Sequence, residues 1–374
     1  MKIGYLHIGA PEHGIVRYGR YLAKEARTRL ELSVIEAEVV LTGDQNVDRQ
    51  NLQVAAKTLS QADIVHFQHN AEIWGRKQQV QHLDTFFKAC TSPKVATLHD
   101  VFYPPHHLQL LQQVLSRKRS MFDWLTTFAR QQISPNVRAL RKIVHETSFV
   151  LVCTEEEAKR LERHTFNVKI IPHFVETRRF DLSPEAAREQ LNLSGKTVIT
   201  LLGFIYRGKG HDLLVKALAK LPPHYDVVFA GGLGHAEFLE QVLDLAKTLG
   251  VVDRIRVTGY LSEAEQARYL AATHLAVCPF EKTSASGSLC TWISAHKPIL
   301  AFNLPQIAEY NCLQPNAIST FSTYEPDSLA IAIEQTLSQP QDTTEIAQLH
   351  RHLELPVILD RHLEQYAAVI AGHA

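Results

Sequence analysis

Short runs of consecutive apolar residues alternate along the chain with longer stretches in which apolar positions recur every third or fourth residue. A strand buried on both faces has no solvent side to keep polar, so its run is continuous, whereas a helix lying on a sheet shows a period of about 3.6 residues. The alternation therefore predicts βαβ units on parallel sheets, an α/β protein. In the first half the expected strands are Lys2–Ile8, Leu32–Leu41, Asp63–Phe67, Lys94–Leu98, Ser148–Val152 and Lys169–Ile171, with helices between them. After Pro172 the pattern lapses through Glu176-Thr177-Arg178-Arg179-Phe180-Asp181, a polar stretch expected to be a linker. A second series follows, with strands near Thr197–Leu202, Asp226–Ala230, Arg254–Val257, Leu275–Cys278 and Ile299–Phe302, and the amphipathic run Leu355–Ile370 predicts a closing helix. The simplest architecture is two Rossmann-like, doubly wound parallel-sheet domains facing a cleft, with ligands at the carboxyl ends of the strands. The expected domains are residues 1–175, which residues 355–374 cross back to join, and residues 182–354.

Composition agrees with this picture and narrows it. The length of 374 residues is enough for about two domains. Hydrophobic residues at 45% and charged residues at 21% suit a globular core and exclude a disordered or fibrous chain. Apolar runs stay below the ~18 residues a transmembrane helix needs. The start, Met1-Lys2-Ile3-Gly4-Tyr5-Leu6-His7, lacks the apolar segment and cleavage site of a signal peptide, so the mature chain is expected to begin there and to stay in the cytoplasm. Five cysteines (Cys90, Cys153, Cys278, Cys290, Cys312) without a C-x-x-C pair fit free, mostly buried thiols. The 20 histidines are dispersed, with no H-E-x-x-H spacing and no Asp-x-Asp, so no metal is expected. The formal net charge is zero, yet residues 1–180 carry 25 Lys and Arg against 18 Asp and Glu, while residues 181–374 carry 14 against 21. Halves of opposite sign suggest two domains with different partners, and nothing indicates a nucleic acid.

Five strand-to-helix turns hold the residues with chemical potential. Gly9-Ala10-Pro11-Glu12-His13-Gly14 follows the first strand, and a glycine there either shapes the turn or lets backbone N–H groups approach an anion. It does not match G-x-G-x-x-G, which excludes a Rossmann oxidoreductase. Thr97-Leu98-His99-Asp100 puts an imidazole and a carboxylate at the end of the fourth strand, able to contact a substrate hydroxyl or phosphate or simply to cap the next helix. His66-Phe67-Gln68-His69-Asn70 is expected to bring more polar groups to the same rim. Leu202-Gly203-Phe204-Ile205-Tyr206-Arg207-Gly208-Lys209-Gly210 embeds two cations among glycines before a helix, a setting for phosphate, though Gly210 after Lys209 departs from a P-loop. Ser284-Ala285-Ser286-Gly287-Ser288-Leu289 allows successive backbone amides to converge on phosphate oxygens, or serves as a serine-rich helix cap.

Taken in order, these motifs resemble the GT-B-fold retaining glycosyltransferases of the family 4 type, the glycosyl transferases group 1, over nearly the whole chain. His13-Gly14-Ile15-Val16-Arg17-Tyr18 resembles that family's acceptor-side Gly-Gly-x-x-Arg-Tyr loop, with His13 in place of the first glycine. Thr97-Leu98-His99-Asp100 is similar to its cleft histidine motif, Ile171-Pro172-His173 to its proline-histidine before the linker, and Gly203 through Gly210 to its diphosphate turn, with Lys209 in register. Val257-Thr258-Gly259-Tyr260-Leu261 resembles the stretch that holds the nucleotide base. One departure stands out: the family's Glu-x7-Glu pair falls on Thr283 and Thr291, counted back from Pro298, which leaves Glu281 as the nearest carboxylate.

The resemblance implies transfer of a sugar, with retention, from a nucleotide-diphosphate donor to an acceptor hydroxyl, without cofactor or metal. It implies catalytic roles for His99, Asp100, Lys209 and Arg207, and donor binding by Gly203, Gly208, Gly259, Tyr260, Glu281, Ser284, Ser286, Gly287, Ser288 and Leu289. His13 and Gly14 fall on the acceptor side. A sugar, a lipid-linked acceptor or a polysaccharide precursor suits such an enzyme, in polysaccharide, lipopolysaccharide or glycolipid synthesis. The basic cluster Ser116-Arg117-Lys118-Arg119-Ser120 beside Met121-Phe122-Asp123-Trp124-Leu125, followed by Arg138, Arg141 and Lys142, is either a solvated face or one that rests on anionic lipid at the inner side of a membrane. The missing glutamates motivate a second function, a catalytically inactive GT-B partner or binding subunit.

Overall fold

The computed structural model describes residues 1–99, 101, 134–161, 167–178, 180–282, 286–339 and 342–372. Asp100, Ser284 and the basic cluster at 116–125 lie outside them. The chain forms two units, Met1–Pro172 with Leu355–Ala374, and His173–Glu354.

In the first unit the strands are β1 (Lys2–Ile8), β2 (Ser33–Val39), β3 (Ile64–His69), β4 (Lys94–Leu98), β5 (Phe149–Val152) and β6 (Val168–Ile170). The described helices are α1 (Gly14–Ala26), α2 (Gln45–Leu59), α3 (Gln79–Ala89), α4 (Pro135–Glu146) and α5 (Glu155–Leu161). All pairings are parallel, in the order β2-β1-β3-β4-β5-β6. Alternation along the strands gives this sheet two unlike buried faces. Leu6, Ile8, Val65, Phe67, Ala96 and Leu98 form one core with Leu52 and Leu59 of α2, Phe86 of α3 and Ile143 of α4. Tyr5, His7, His66, Gln68 and Thr97 have the opposite parity and are buried as well.

The second unit contains β7 (Thr197–Leu202), β8 (Tyr225–Ala230), β9 (Ile255–Val257), β10 (Leu275–Cys278), β11 (Ile299–Phe302) and β12 (Ser319–Phe321). Its helices are α6 (Pro184–Gln190), α7 (His211–Leu218), α8 (Ala236–Thr248), α9 (Glu263–Ala272), α10 (Gly287–Ser294), α11 (Pro305–Leu313), α12 (Pro326–Ser338) and α13 (Thr344–His352). The parallel order is β12-β11-β10-β7-β8-β9, so the chain runs outward from β7 to β9 and returns to lay β10 on the other side of β7. That reversal opens a crevice at the carboxyl ends of β7 and β10, where such sheets bind ligands. The closing helix α14 (Leu355–Ile370) belongs to the first unit, where it packs against α1.

Observed strands fall within two residues of the expected ones. The exception is β12, a sheet-edge strand with no counterpart among the expected ones, whose Ser319-Thr320-Phe321 has a single apolar residue. All five cysteines are free, with Cys312 alone exposed. No helix among the described residues is long and apolar enough to cross a membrane.

Candidate functional site

In the second unit, the turn after β7 is forced by glycines. Gly210 has φ +84°, and a Cβ there would stand 2.3 Å from the Pro279 carbonyl oxygen, so only glycine fits and the turn is clamped to the segment after β10. A backbone bond from Glu281 N–H to the Gly208 carbonyl (3.0 Å) ties the same two segments. This clamp carries Lys209 inward. Its Nζ stands 3.9 Å from the Phe280 ring centroid and donates to Ser288 Oγ (3.4 Å). Burial lowers its pKa from 10.5 to about 8, because the charged form loses water. Among the described residues no carboxylate pairs with it.

Ser288 lies in the first turn of α10, which Ser286 caps by accepting from the Leu289 N–H (3.3 Å), and the hydroxyls of Ser286 and Ser288 are 3.0 Å apart. The Leu289 amide, expected to hold a ligand, is thus already bonded, since the third helical N–H is one that a serine N-cap takes. The N–H groups of Gly287 and Ser288 have no acceptor within the helix, and the positive end of its dipole adds to Lys209. No described atom lies within 4 Å of where a Cβ on Gly287 would stand, and its φ is not positive, so neither fold nor packing demands glycine there.

Gly203 (φ +119°) faces Lys209, whose Nζ is 3.6 Å from a Cβ built at Gly203. Arg207 is turned outward: its guanidinium donates to Gln241 Oε1 and lies 5.2 Å from the Phe238 ring centroid, both on α8. Among the described residues its partners lie on α8. Glu281 is exposed, its Oε2 3.9 Å from a Cβ built at Gly208. Gly259 has φ +73° and pairs with Gly231 across β8 and β9, which presents Tyr260 at 80% exposure. Phe204, 57% exposed, was not singled out from the sequence. A Cβ on Gly232 would lie 3.1 Å from Phe204 and 3.7 Å from Tyr260, so the two rings flank a glycine floor. The available signal was an aromatic residue two positions after a buried strand, beside a glycine.

In the first unit, His13 is the N-cap of α1, its Nδ1 accepting from the Ile15 N–H (3.3 Å), and no described atom lies within 4 Å of a Cβ built on Gly14. His99 follows β4 and is buried, its Nε2 2.8 Å from Gln68 Oε1 and its ring edge-on to Tyr18 at 5.1 Å. His66 and Gln68 do not form an open rim: they point to the sheet face that α14 covers, because their parity on β3 places them there. Lys142 is paired with Asp84 of α3 at 2.6 Å. Among the described residues no three His, Cys, Asp or Glu side chains gather as metal ligands.

Two parallel-sheet units with these strand orders define a GT-B glycosyltransferase fold. Residues 183–352, almost all of the second unit, match the model of the family described as glycosyl transferases group 1. Among solved structures, that of HepE from Anabaena in complex with UDP is similar over 98% of this chain and 100% of its own (16% identity, TM-score 0.72). Sucrose-phosphate synthase from Thermosynechococcus elongatus is similar over the whole of both chains (16% identity, TM-score 0.69). So is WaaG, a glycosyltransferase involved in lipopolysaccharide biosynthesis (16% identity, TM-score 0.61). At these identities the likeness is one of fold. No curated protein sequence matches the chain.

Proposed function

We propose that the protein transfers a sugar, with retention at the anomeric carbon, from a nucleotide-diphosphate donor to an acceptor hydroxyl. The observation that carries this is Lys209: a half-buried ammonium, unpaired with any carboxylate among the described residues, beside the first-turn amides of α10 at the switch point of the second sheet. A cation that pays for desolvation without an internal anion is suited to an anionic ligand, and a diphosphate meets both it and the amides of Gly287 and Ser288. As the glycosidic oxygen departs, these donors would stabilise the charge that develops on the diphosphate, with no metal or cofactor required. Phe204 and Tyr260 offer ring faces for a base. HepE was solved with UDP and with UDP-glucose, which makes uridine the first nucleotide to try.

Under this proposal His99 and Asp100 contact the donor sugar, and the His13-Gly14 loop admits the acceptor. That acceptor is a sugar, a lipid-linked sugar or a polysaccharide precursor, met in the cytoplasm or at the inner face of a membrane. Co-sedimentation with anionic and with neutral liposomes tests the membrane contact. Thermal unfolding with UDP-, GDP- and ADP-sugars tests the donor, since a ligand at 100 times its Kd adds about 2.7 kcal/mol to the native state. A raised melting temperature with one nucleotide, lost in Lys209→Ala, supports the proposal; no shift with any of them refutes it. The anomeric configuration of the product, read by NMR, tests retention.

A second reading, an inactive binding subunit, draws on Thr291, which stands where the family carries a carboxylate and whose hydroxyl donates within its own helix to the Gly287 carbonyl (2.9 Å). It requires donor binding without transfer or donor hydrolysis.

A further inference from the structure

Lys209 stands over an aromatic ring rather than beside an anion. Its Nζ is 3.9 Å from the ring centroid of Phe280 and 5.9 Å from that of Tyr206. Phe280 is 2% exposed, yet among the described residues it stands apart from the apolar cluster of Ile199, Leu201, Val277 and Leu300 in the same unit. Backbone contacts fix the lysine and the ring relative to each other. The Pro279 carbonyl crowds Gly210, and the Glu281 N–H donates to the Gly208 carbonyl. The Tyr324 hydroxyl, beyond β12, donates to the same Pro279 carbonyl (3.0 Å). Residues 208–210 and 279–281 are thus tied together, with the cation on one segment and the ring on the other.

An ammonium that loses water needs negative charge beside it. A carboxylate would supply it, but would also repel an arriving phosphate or have to be displaced by it. The face of an aromatic ring carries the negative part of a quadrupole and attracts a cation with no net charge of its own. The groups that face Lys209 from the other elements supply no counter-ion. Cys278, at the end of β10, is a thiol that burial pushes up to about 12. His211, which opens α7, is neutral, pushed down to about 3 by burial and then by Lys209 itself. Ser288 of α10 offers a neutral hydroxyl. Of the charged groups on the two tied segments, Arg207 bonds to Gln241 of α8 and Glu281 is exposed.

We propose that Phe280 is a positioning residue whose ring face stands in for a counter-ion, holding Lys209 as an aimed ammonium and leaving no anion where the diphosphate binds. This role rests on the reading of Lys209 as the cation that meets the diphosphate. It turns a residue that the sequence presents only as an apolar neighbour of Pro279 into part of the electrostatics of the site. A dependence on pH follows. Burial brings Lys209 down to about 8, so below that pH the ammonium dominates and above it the ligand must restore the proton. Any weakening of the ring face lowers the ammonium fraction most in the alkaline range.

The test reads the ionisation of Lys209 in the unliganded full chain by carbon-13 NMR of labelled lysine side chains, with the signal assigned by its loss in Lys209→Met. Position 280 carries phenylalanine, then phenylalanine with one, two and three ring fluorines. Fluorine withdraws charge from the ring face while nearly keeping its shape, so the series stays readable even if Phe280→Leu does not fold. Each fluorine should raise the acid dissociation constant of Lys209, reaching about threefold or more with three, and Phe280→Leu should do at least as much. A constant that stays flat along the series overturns the proposal. Calorimetric titration with the nucleotide sugar selected by the thermal screen separates it from the reading on which it rests. Affinity should fall along the series by about threefold at pH 9 and little at pH 7, because at pH 7 the lysine keeps its proton throughout. If the lysine responds to fluorine but Lys209→Met binds that nucleotide as tightly as wild type, or no nucleotide binds, the role of the ring stands and the reading of Lys209 as the diphosphate cation falls. If Lys209→Met binds weakly but affinity at pH 9 ignores the fluorines, that reading stands and the role of Phe280 falls.

Discussion

Replacing Lys209 with methionine separates its structural cost from its proposed work. Methionine keeps an apolar stem against Phe280 and removes the charge. A fall in pKa from 10.5 to about 8 means that the folded environment disfavours the ammonium by roughly 3 kcal/mol, at about 1.4 kcal/mol per tenfold change in acidity. Against this stand the cation–π contact with Phe280, on the order of 1 kcal/mol, and a long hydrogen bond to Ser288, worth about 0.5–1 kcal/mol. Lys209→Met should therefore raise the stability of the unliganded protein by about 1–2 kcal/mol at pH 7. The sign with pH follows from linkage. Between pH 8 and 10.5 the unfolded chain holds a proton that the folded one has released, so wild-type stability rises through that window and the gap to the variant closes. Binding should change in the opposite sense. Loss of one charge-assisted contact, about 1.5–3 kcal/mol, weakens the selected nucleoside diphosphate by tenfold to more than a hundredfold. Urea unfolding at pH 7 and pH 10, with calorimetric titration of the nucleotide, measures both. A variant that loses 2 kcal/mol or more, or that binds the diphosphate as tightly as wild type, would refute the reasoning.

Gly210→Ala, with its Cβ 2.3 Å from the Pro279 carbonyl oxygen at positive φ, should destabilise the protein by roughly 3 kcal/mol, seen as a lowered urea midpoint. Gly287→Ala meets no described atom within 4 Å and should leave stability unchanged within about 1 kcal/mol, yet weaken diphosphate binding by placing a methyl group over the helix N-terminus; unchanged affinity would count against anion binding there. Phe204→Ala and Tyr260→Ala remove exposed rings, so melting temperatures should hold while nucleotide affinity drops by about 1–3 kcal/mol if a base stacks between them, measured by the same titration. Cys312 should be the single fast thiol toward a disulfide reagent at pH 8, abolished in Cys312→Ser, because burial pushes Cys278 and Cys290 up to about 12 and covers Cys90 and Cys153.

The elements and the fold class were legible in the sequence because they depend on local periodicity. Continuous short runs such as Thr197–Leu202 and Leu275–Cys278 fit strands buried on both faces, and the glycine-rich turn after the first and the serine-rich turn after the second point to βα crossings. Even the unlike faces of the first sheet are written as alternation: Tyr5-Leu6-His7-Ile8 and Val65-His66-Phe67-Gln68 carry the pattern in plain view. What periodicity cannot convey is which turns meet. Lys209 and Ser288 are 79 residues apart and touch because β10 returns to lie beside β7, a choice made by crossover topology. The same packing turned Arg207 toward Gln241 and set Tyr366 against His66 across 300 residues. Sequence thus determined the strands, the turns and the residue types able to do chemistry, since each depends on neighbours within a few positions. Only the tertiary structure decided which of those residues share hydrogen bonds and which lose water, because desolvation and polar pairing depend on segments far apart in the chain.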